Sequence, residues 1–482
     1  MNRTKKITIL AAVLLAACLL TVFALSREEK KEEIQTSGEV VLSIPVDEVK
    51  SVSWNQPLTG EELSFTRGEN WTYDKDAFFP VDGQKLEELL LSCFNDFSAA
   101  FVIENVEDYG QYGLDDPLCT INIASENETY EIKLGNFSNM DSQRYVSFGD
   151  GNVYLAVKDP LNAFDIELKN LIKNDEIPEF GDFSAIEING EEKLKVIRNE
   201  EQSRSYRSGD KYYAEIDGKE LSLDNHRVEE FAEKIQYLSL NNYASYNTSE
   251  TELADYGMDA PELSVKFLYT VKDDESNETP AEFKVSISRD PDELKDRRES
   301  IDGYNTEMLI MEDPQDITAY ARVNDSDIIY EITGEDYQRL MICRYNDLRD
   351  QHIIPVDFGD IVEIDINLDG ELYSLIKPED NEIFTYLGEE IDISDIESSM
   401  NSLLADSFIE DMPELKEEIS LTIYLDRELQ SKVQVSIYRY DGSNCLAVLN
   451  GEPLALTERE GVVELIENIN SIILNTIPEA EK

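Results

Sequence analysis

Apolar residues recur at helical spacing within stretches that otherwise alternate, and the arrangement returns along the chain. Leu86, Leu89, Leu90, Cys93, Phe94 and Phe97 fall at offsets 0, 3, 4, 7, 8 and 11 of one face, and Val228, Phe231, Ala232 and Ile235 repeat the pattern. This spacing predicts amphipathic helices. An apolar residue and an aspartate precede each: Val81-Asp82 before Leu86-Glu87-Glu88, Leu223-Asp224 before Val228-Glu229-Glu230 and, at a third place, Ile391-Asp392 before Ile396-Glu397. Aspartate suits an N-cap there, because it accepts from the unpaired N–H groups of the first turn, and the helix dipole favours acidic residues in the turn that follows. Ser394 and Glu397 offer the third helix an alternative start as a capping box.

The residues before each helix alternate as half-buried strands do. Val52, Trp54, Leu63 and Phe65 open the first series; Ile186-Glu187-Ile188 turns at Asn189-Gly190 into Leu194-Lys195-Val196; Ile364-Asp365-Ile366 turns at Asp369-Gly370 into Leu372-Tyr373-Ser374. These read as equivalent hairpins. An aromatic strand follows in each, marked by the core positions Trp71, Tyr213 and Phe384. After the helix, Tyr112-Gly113-Leu114-Asp115-Asp116-Pro117 recurs as Tyr256-Gly257-Met258-Asp259-Ala260-Pro261, with a remnant at Asp411-Met412-Pro413. Glycine suits a left-handed turn in that phrase, aspartate bonds the local backbone and proline starts a strand edge. Strands at 130–135 and 152–157 close the first series; strand 445–448 and a helical run near Val462, Leu465 and Ile466 are the third-series counterparts.

Ile44-Pro45, Ile177-Pro178, Ile354-Pro355 and Ile477-Pro478 mark out the repeats. A repeated feature is scaffold rather than a unique active site. The predicted fold class is α+β, three tandem units, each a mostly antiparallel sheet with a packed helix, behind an N-terminal transmembrane helix. The expected organisation is a cytoplasmic flank and anchor at 1–26, a linker at 27–39, and units at 40–178, 179–355 and a degenerate 356–482. The middle unit is the longest, and its excess is assigned to surface loops at 273–280 and 289–302, where the sequence turns polar.

The N-terminal anchor, the Trp71 strand, the helix from Asp82, the Tyr-Gly-Leu-Asp-Asp-Pro phrase, the Leu134-Gly135 turn and the Val153-Tyr154-Leu155 strand together resemble the bacterial family of unknown function DUF4340. The resemblance covers residues 45–178 most fully, the second unit less and the third least. It implies repeats of that domain, and some members look like accessory proteins of gliding-type ABC transport systems. It implies no catalytic residue, because the family carries none that is established.

Residues 7–25 form a mainly apolar run flanked by Arg3, Lys5 and Lys6. At about 20 residues per crossing it is long enough to span a bilayer, and the basic flank places the N-terminus in the cytoplasm. A competing reading is a lipoprotein signal at Leu15-Ala16-Ala17-Cys18, set against the apolar Leu19 to Phe23 that follow; cleaved secretion is a third. All three place the repeats outside the cytoplasm, with cell-membrane localisation and a single pass under the anchor reading.

Without Arg3, Lys5 and Lys6 the 42 Lys and Arg become 39 against 103 Asp and Glu, a net charge of −64. Such a surface excludes nucleic acid as a partner, since phosphate binding needs basic patches. It suits a solvated exterior, a docking face for a basic protein or a reservoir for divalent cations. The 41% hydrophobic content is enough for folding. Cys93 and Cys119 could bridge helix to sheet in an oxidising exterior, or stay buried thiols; Cys343 and Cys445 lie in different units.

No nucleophile elbow, zinc-peptidase, phosphate-loop or dinucleotide motif occurs. His226 and His352 are read as solvated or capping. Ser208-Gly209-Asp210-Lys211 matches Ser-x-x-Lys but lies in a turn and has no Lys-Thr-Gly partner. Asp365-x-Asn367-x-Asp369-Gly370 copies half a calcium loop, yet Ile376 stands where glutamate is needed, so it reads as a hairpin turn. No catalytic, cofactor or metal residue is assigned. The expected function is a non-enzymatic, membrane-anchored extracytoplasmic scaffold or accessory protein with a protein partner in the envelope, with an ABC-type export or envelope system as its expected setting. The alternative is an envelope module for glycan, peptide or divalent cation, motivated by Tyr206 and Tyr212, which alternation turns outward if Tyr213 points inward.

Overall fold

The computed structural model describes residues 38–139, 142–199, 205–216, 218–272, 277–300, 312–379, 383–412 and 415–476. The anchor, lipoprotein and linker readings therefore fall outside the described residues, as do Pro413 and Ile477-Pro478. Among the described residues no helix is long and apolar enough to cross a membrane.

Three antiparallel sheets form the frame. The first comprises β1 (Glu39–Leu42), β2 (Val49–Asn55), β3 (Glu62–Arg67), β4 (Trp71–Tyr73), β5 (Phe97–Ile103), β6 (Cys119–Ser125), β7 (Thr129–Ser138), β8 (Gln143–Ser147) and β9 (Val153–Ala156), in the order β1-β5-β9-β8-β7-β6-β2-β3-β4. In the second unit β10 (Ala185–Asn189), β11 (Lys193–Arg198), β12 (Tyr212–Ile216) and β13 (Lys219–Ser222) precede the helix. After β14 (Tyr243–Ser245) come β15 (Leu263–Lys272), β16 (Glu278–Arg289), β17 (Ala319–Val323) and β18 (Ile329–Ile332). Their run is β13-β12-β11-β10-β15-β16-β17-β18.

The third sheet has β19 (Ile361–Leu368), β20 (Glu371–Ile376), β21 (Thr385–Tyr386), β22 (Glu389–Glu390), β23 (Ser407–Phe408), β24 (Lys416–Leu425), β25 (Lys432–Arg439), β26 (Asn444–Leu449) and β27 (Glu452–Glu458), ordered β22-β21-β20-β19-β24-β25-β26-β27-β23. The logic of the first and third sheets is the same. A hairpin is laid down, a helix carries the chain to the far side of the sheet, and a meander fills the gap between. On that far side β23 is the edge strand and β5 lies next to the edge strand β1. The helix must cross an apolar face, which is why it is amphipathic.

Those helices run Gly83–Phe94, Asn225–Gln236 and Ser394–Ser402. Asp82 accepts from Lys85 N and Asp224 from Arg227 N, both at 3.1 Å, as N-caps do. The acidic residues fall beyond the first turn of these two helices. In the third, Asp392 accepts from Ser394 N, and the capping box is not formed. The first helix stops at Phe94, so Phe97 belongs to β5 instead. The cap also receives the unit's tail: Asp82 N donates to Leu171 O and Asp224 N to Leu348 O, each leucine seven residues before its Ile-Pro proline.

The two hairpins differ. Leu368 pairs with Glu371 around Asp369 (φ +52°) and Gly370 (φ +85°), a two-residue turn, whereas Asn189 pairs with Lys193 around a three-residue loop. Gly113 (φ +70°) and Gly257 (φ +69°) are left-handed, as the Tyr-Gly phrase requires. The neighbouring tyrosines pack alike, Tyr112 on Tyr145 and Tyr256 on Tyr320. Gly135 lies within β7 at a break in register, not in a turn; a Cβ there would stand 2.3 Å from Tyr112 O.

Where the two stretches assigned to surface loops are described, at 277–280 and 289–300, they are structured. Residues 278–280 belong to β16 and pair with β15, and Pro291–Ser300 is a helix whose first turn is capped by Asp290. Arg289 is 1% exposed, the reverse of a loop residue. The described residues 205–211 before β12 form a further loop of the unit.

Packing gathers the described residues into two compact units. The first runs to Asp175 and includes Leu240–Thr248; the second holds Glu176–Ser239 and everything from Ser249, hence both later sheets. In the first, Phe79 packs on Tyr246 and Tyr243, with ring centroids 5.1 and 6.4 Å away. The third sheet's core is aliphatic, including Ile364, Ile366, Ile423, Val435 and Leu465.

Candidate functional site

Within the second compact unit, the loop between β11 and β12 reaches from its own sheet to the next. Tyr206 packs against the core of the third sheet and its hydroxyl accepts from Asn450 Nδ2 at 2.7 Å. Arg207 pairs with Asp350 at 2.7 Å, and Ser208 donates through both N and Oγ to Asp357, at 2.8 and 2.7 Å. Successive side chains of one loop are thus committed to holding the two sheets together.

Asp350 and Asp210 are two desolvated acids of this junction, and Glu220 stands beside them. Burial pushes the Asp350 carboxyl up, but the hydrogen bonds from His352, whose Nδ1 lies 2.6 Å away, and the Arg207 charge outweigh it and leave the pKa below normal. For Asp210 burial prevails: its carboxyl is raised although the Ser205 and Ser222 hydroxyls both donate to it. Beside them opens a cavity of about 220 Å³ whose lining includes Tyr206, Asp210, Tyr345, Arg349, His352 and Leu449.

The Ser-x-x-Lys residues do not meet as nucleophile and base. Ser208 is held by Asp357, while Lys211 Nζ lies 3.6 Å from Glu229 and its N–H donates to Asn225. The calcium-like stretch is strand and turn: Asp365 accepts from Ser374 Oγ, Asn367 donates to Glu417, and Asp369 forms the β19–β20 turn. Among the described residues no three His, Cys, Asp or Glu side chains converge as metal ligands. His226 lies in the first turn of the second helix.

Tyr212 corrects the outward-facing expectation: it is 4% exposed, stacked on Phe183 at 5.2 Å, and burial pushes its phenol up to about 12. Its neighbour Tyr213 is buried too. Both faces of β12 are covered there, so alternation does not separate inside from outside. Tyr212 sits opposite Arg198 and donates to Glu229 at 3.4 Å. Trp71 likewise sits opposite Arg67 and donates to Glu87 at 3.1 Å, with Arg67 and Glu87 paired at 2.7 Å. The partner of the Trp71 position is therefore Tyr212, one residue from the expected Tyr213, and the acidic residue of each helix fixes it. Cys93 and Cys119 are unbonded thiols, as are Cys343 and Cys445.

Sequence reasoning passed over Arg289 and Arg349. Arg289 pairs with Glu312 at 2.9 Å and Glu293 at 3.0 Å. Arg349 lies over Phe408 and Tyr345, its Cζ 4.0 and 4.9 Å from the ring centroids. The one legible signal was the Asp290-Pro291 pair, a helix start that places Arg289 at the strand end.

A family model described as Domain of unknown function (DUF4340) matches residues 71–261 and, overlapping, 215–418. Each match begins near an aromatic strand and runs past the next helix-bearing segment, consistent with repeats of one domain. No curated protein and no solved structure matches the chain.

Proposed function

The chain belongs to the family of unknown function DUF4340, and on that premise we propose that it is a non-enzymatic, membrane-anchored extracytoplasmic scaffold for a protein partner, an accessory part of an ABC-type export or envelope system. The observation that carries this reading is the fate of Ser208, whose N–H and hydroxyl are both consumed by Asp357 in joining two sheets. Ser208 serves as a fastener. The acidic excess, 103 Asp and Glu against 42 Lys and Arg, supports a partner with a basic face and argues against nucleic acid.

The anchor is the apolar run 7–25, with the C-terminal region outside the cell membrane. Intact mass of the membrane-extracted chain tests it: an unprocessed N-terminus supports the anchor, and a diacylated Cys18 replaces it with a lipoprotein. Mild cross-linking of the intact protein in membranes, followed by purification, tests the scaffold. Recovery of a transporter permease or ATPase subunit supports it; recovery of no partner counts against it. A second reading, an envelope ligand-binding module, loses the support of Tyr212 and rests instead on the cavity beside Arg349.

A further inference from the structure

We infer that the cavity beside Arg349 binds a monocarboxylate carried on an apolar body. The inference deepens the ligand-binding reading and is independent of the scaffold. The guanidinium lies against Phe408 and Tyr345, and among the described residues its one hydrogen bond is a long one of 3.4 Å from Nη1 to Asn346. Nε and Nη2 meet no acceptor and no carboxylate among those residues. An arginine fork of that kind matches the planar geometry of a carboxylate, which it grips with two parallel bonds.

The contrast with the acids around it is what gives the observation weight. Asp350 already has Arg207 and His352, and Asp210 has two hydroxyls. In a chain with a net charge of −61 carboxylates are abundant, yet among the described residues none pairs with this arginine. Burial lowers the pKa of Arg349, and the nearby charge of Asp350 opposes that shift without forming a bond to the guanidinium.

Size and lining narrow the ligand. About 220 Å³ equals roughly seven waters at about 30 Å³ each, room for a ring or a short branched chain. Leu449, Leu454 and Tyr206 supply apolar wall. Asp210, Glu220 and Asp350 line the same space, so a phosphate or dicarboxylate, with its greater charge, meets stronger repulsion than a single carboxylate does.

Isothermal calorimetry on the intact protein tests this with 3-phenylpropanoate and its uncharged amide, and with a short peptide ending in phenylalanine as the free acid and as the amide. Saturable one-to-one binding of an acid but not of its amide is expected, and whichever acid binds identifies the source as a free metabolite or a polypeptide terminus. Arg349→Met should weaken that binding at least about tenfold, and Arg349→Lys should not restore it, because lysine lacks the fork. Equal binding of acid and amide, no saturable heat with either acid, or wild-type affinity in Arg349→Met overturns the proposal. The acid-against-amide comparison on the unaltered protein keeps the test decisive if a variant misfolds.

Discussion

Tyr246 donates its hydroxyl to Asp76 Oδ2 at 2.7 Å, joining residues 170 positions apart within the first compact unit. The bond holds the Asp76 carboxyl below its ordinary value of 3.8, helped by the N–H of Phe78, and raises the Tyr246 phenol to about 12. Tyr246→Phe should move the Asp76 pKa upward, as followed by carboxyl chemical shifts. A folded pKa below the unfolded one gives stability that is present above the unfolded value and lost as pH falls through the folded one. The variant should therefore lose its first-unit structure at a higher pH during acid titration.

Arg289 and Glu312 are 1% and 7% exposed as side chains. Arg289→Met leaves a buried carboxylate without its cation and should cost roughly 3–5 kcal/mol in urea unfolding of the second compact unit. Adding Glu312→Leu removes the orphaned charge, so the double variant should be more stable than Arg289→Met alone.

Gly135 and Gly370 separate two reasons for glycine. At Gly135 a Cβ would meet backbone, Tyr112 O at 2.3 Å, so Gly135→Ala should destabilise by about 1–3 kcal/mol. At Gly370 the space is open and only the left-handed φ opposes a side chain, so Gly370→Ala should cost about 1–2 kcal/mol and Gly370→Asn less, since asparagine tolerates that region. Chemical denaturation midpoints compare all three.

Arg207→Gln should raise the Asp350 pKa by removing a cation 2.7 Å away. Asp350 is held below normal in the wild type, so its contribution persists down to its folded pKa and is lost beneath it. In the variant the loss begins at a higher pH. Acid unfolding of the second unit, followed by tyrosine fluorescence, should shift upward accordingly, and no such shift would remove Arg207 from this role.

What could be read in the sequence was what is local. The helix faces of Leu86–Phe94 and Val228–Ile235, the aspartate caps and the left-handed glycines of the Tyr-Gly phrase are all set by residues within a few positions of one another. Phe97 failed because helical spacing continues past a real end, where β5 takes over. Tyr212 failed because Phe183, distant in sequence, covers the face that alternation assigned to solvent. Arg289 was hidden for a similar reason: its carboxylate Glu312 arrives 23 residues later, and polar composition looks the same whether charges meet water or each other. The cavity beside Arg349 needs two sheets to exist, and no linear spacing encodes it.

The far-side placement of the strand after the helix in the first and third sheets has a consequence for biosynthesis. β5 pairs with β9, which is translated last in its sheet, and β23 pairs with β27 in the same way. A chain emerging from its N-terminus therefore carries an unsealed edge and a half-covered helix until the final strand arrives, because non-local pairing must await both partners. The first and third sheets each close late, so truncation just before β9 or β27 should yield a chain that engages chaperones or proteases rather than a shorter working unit.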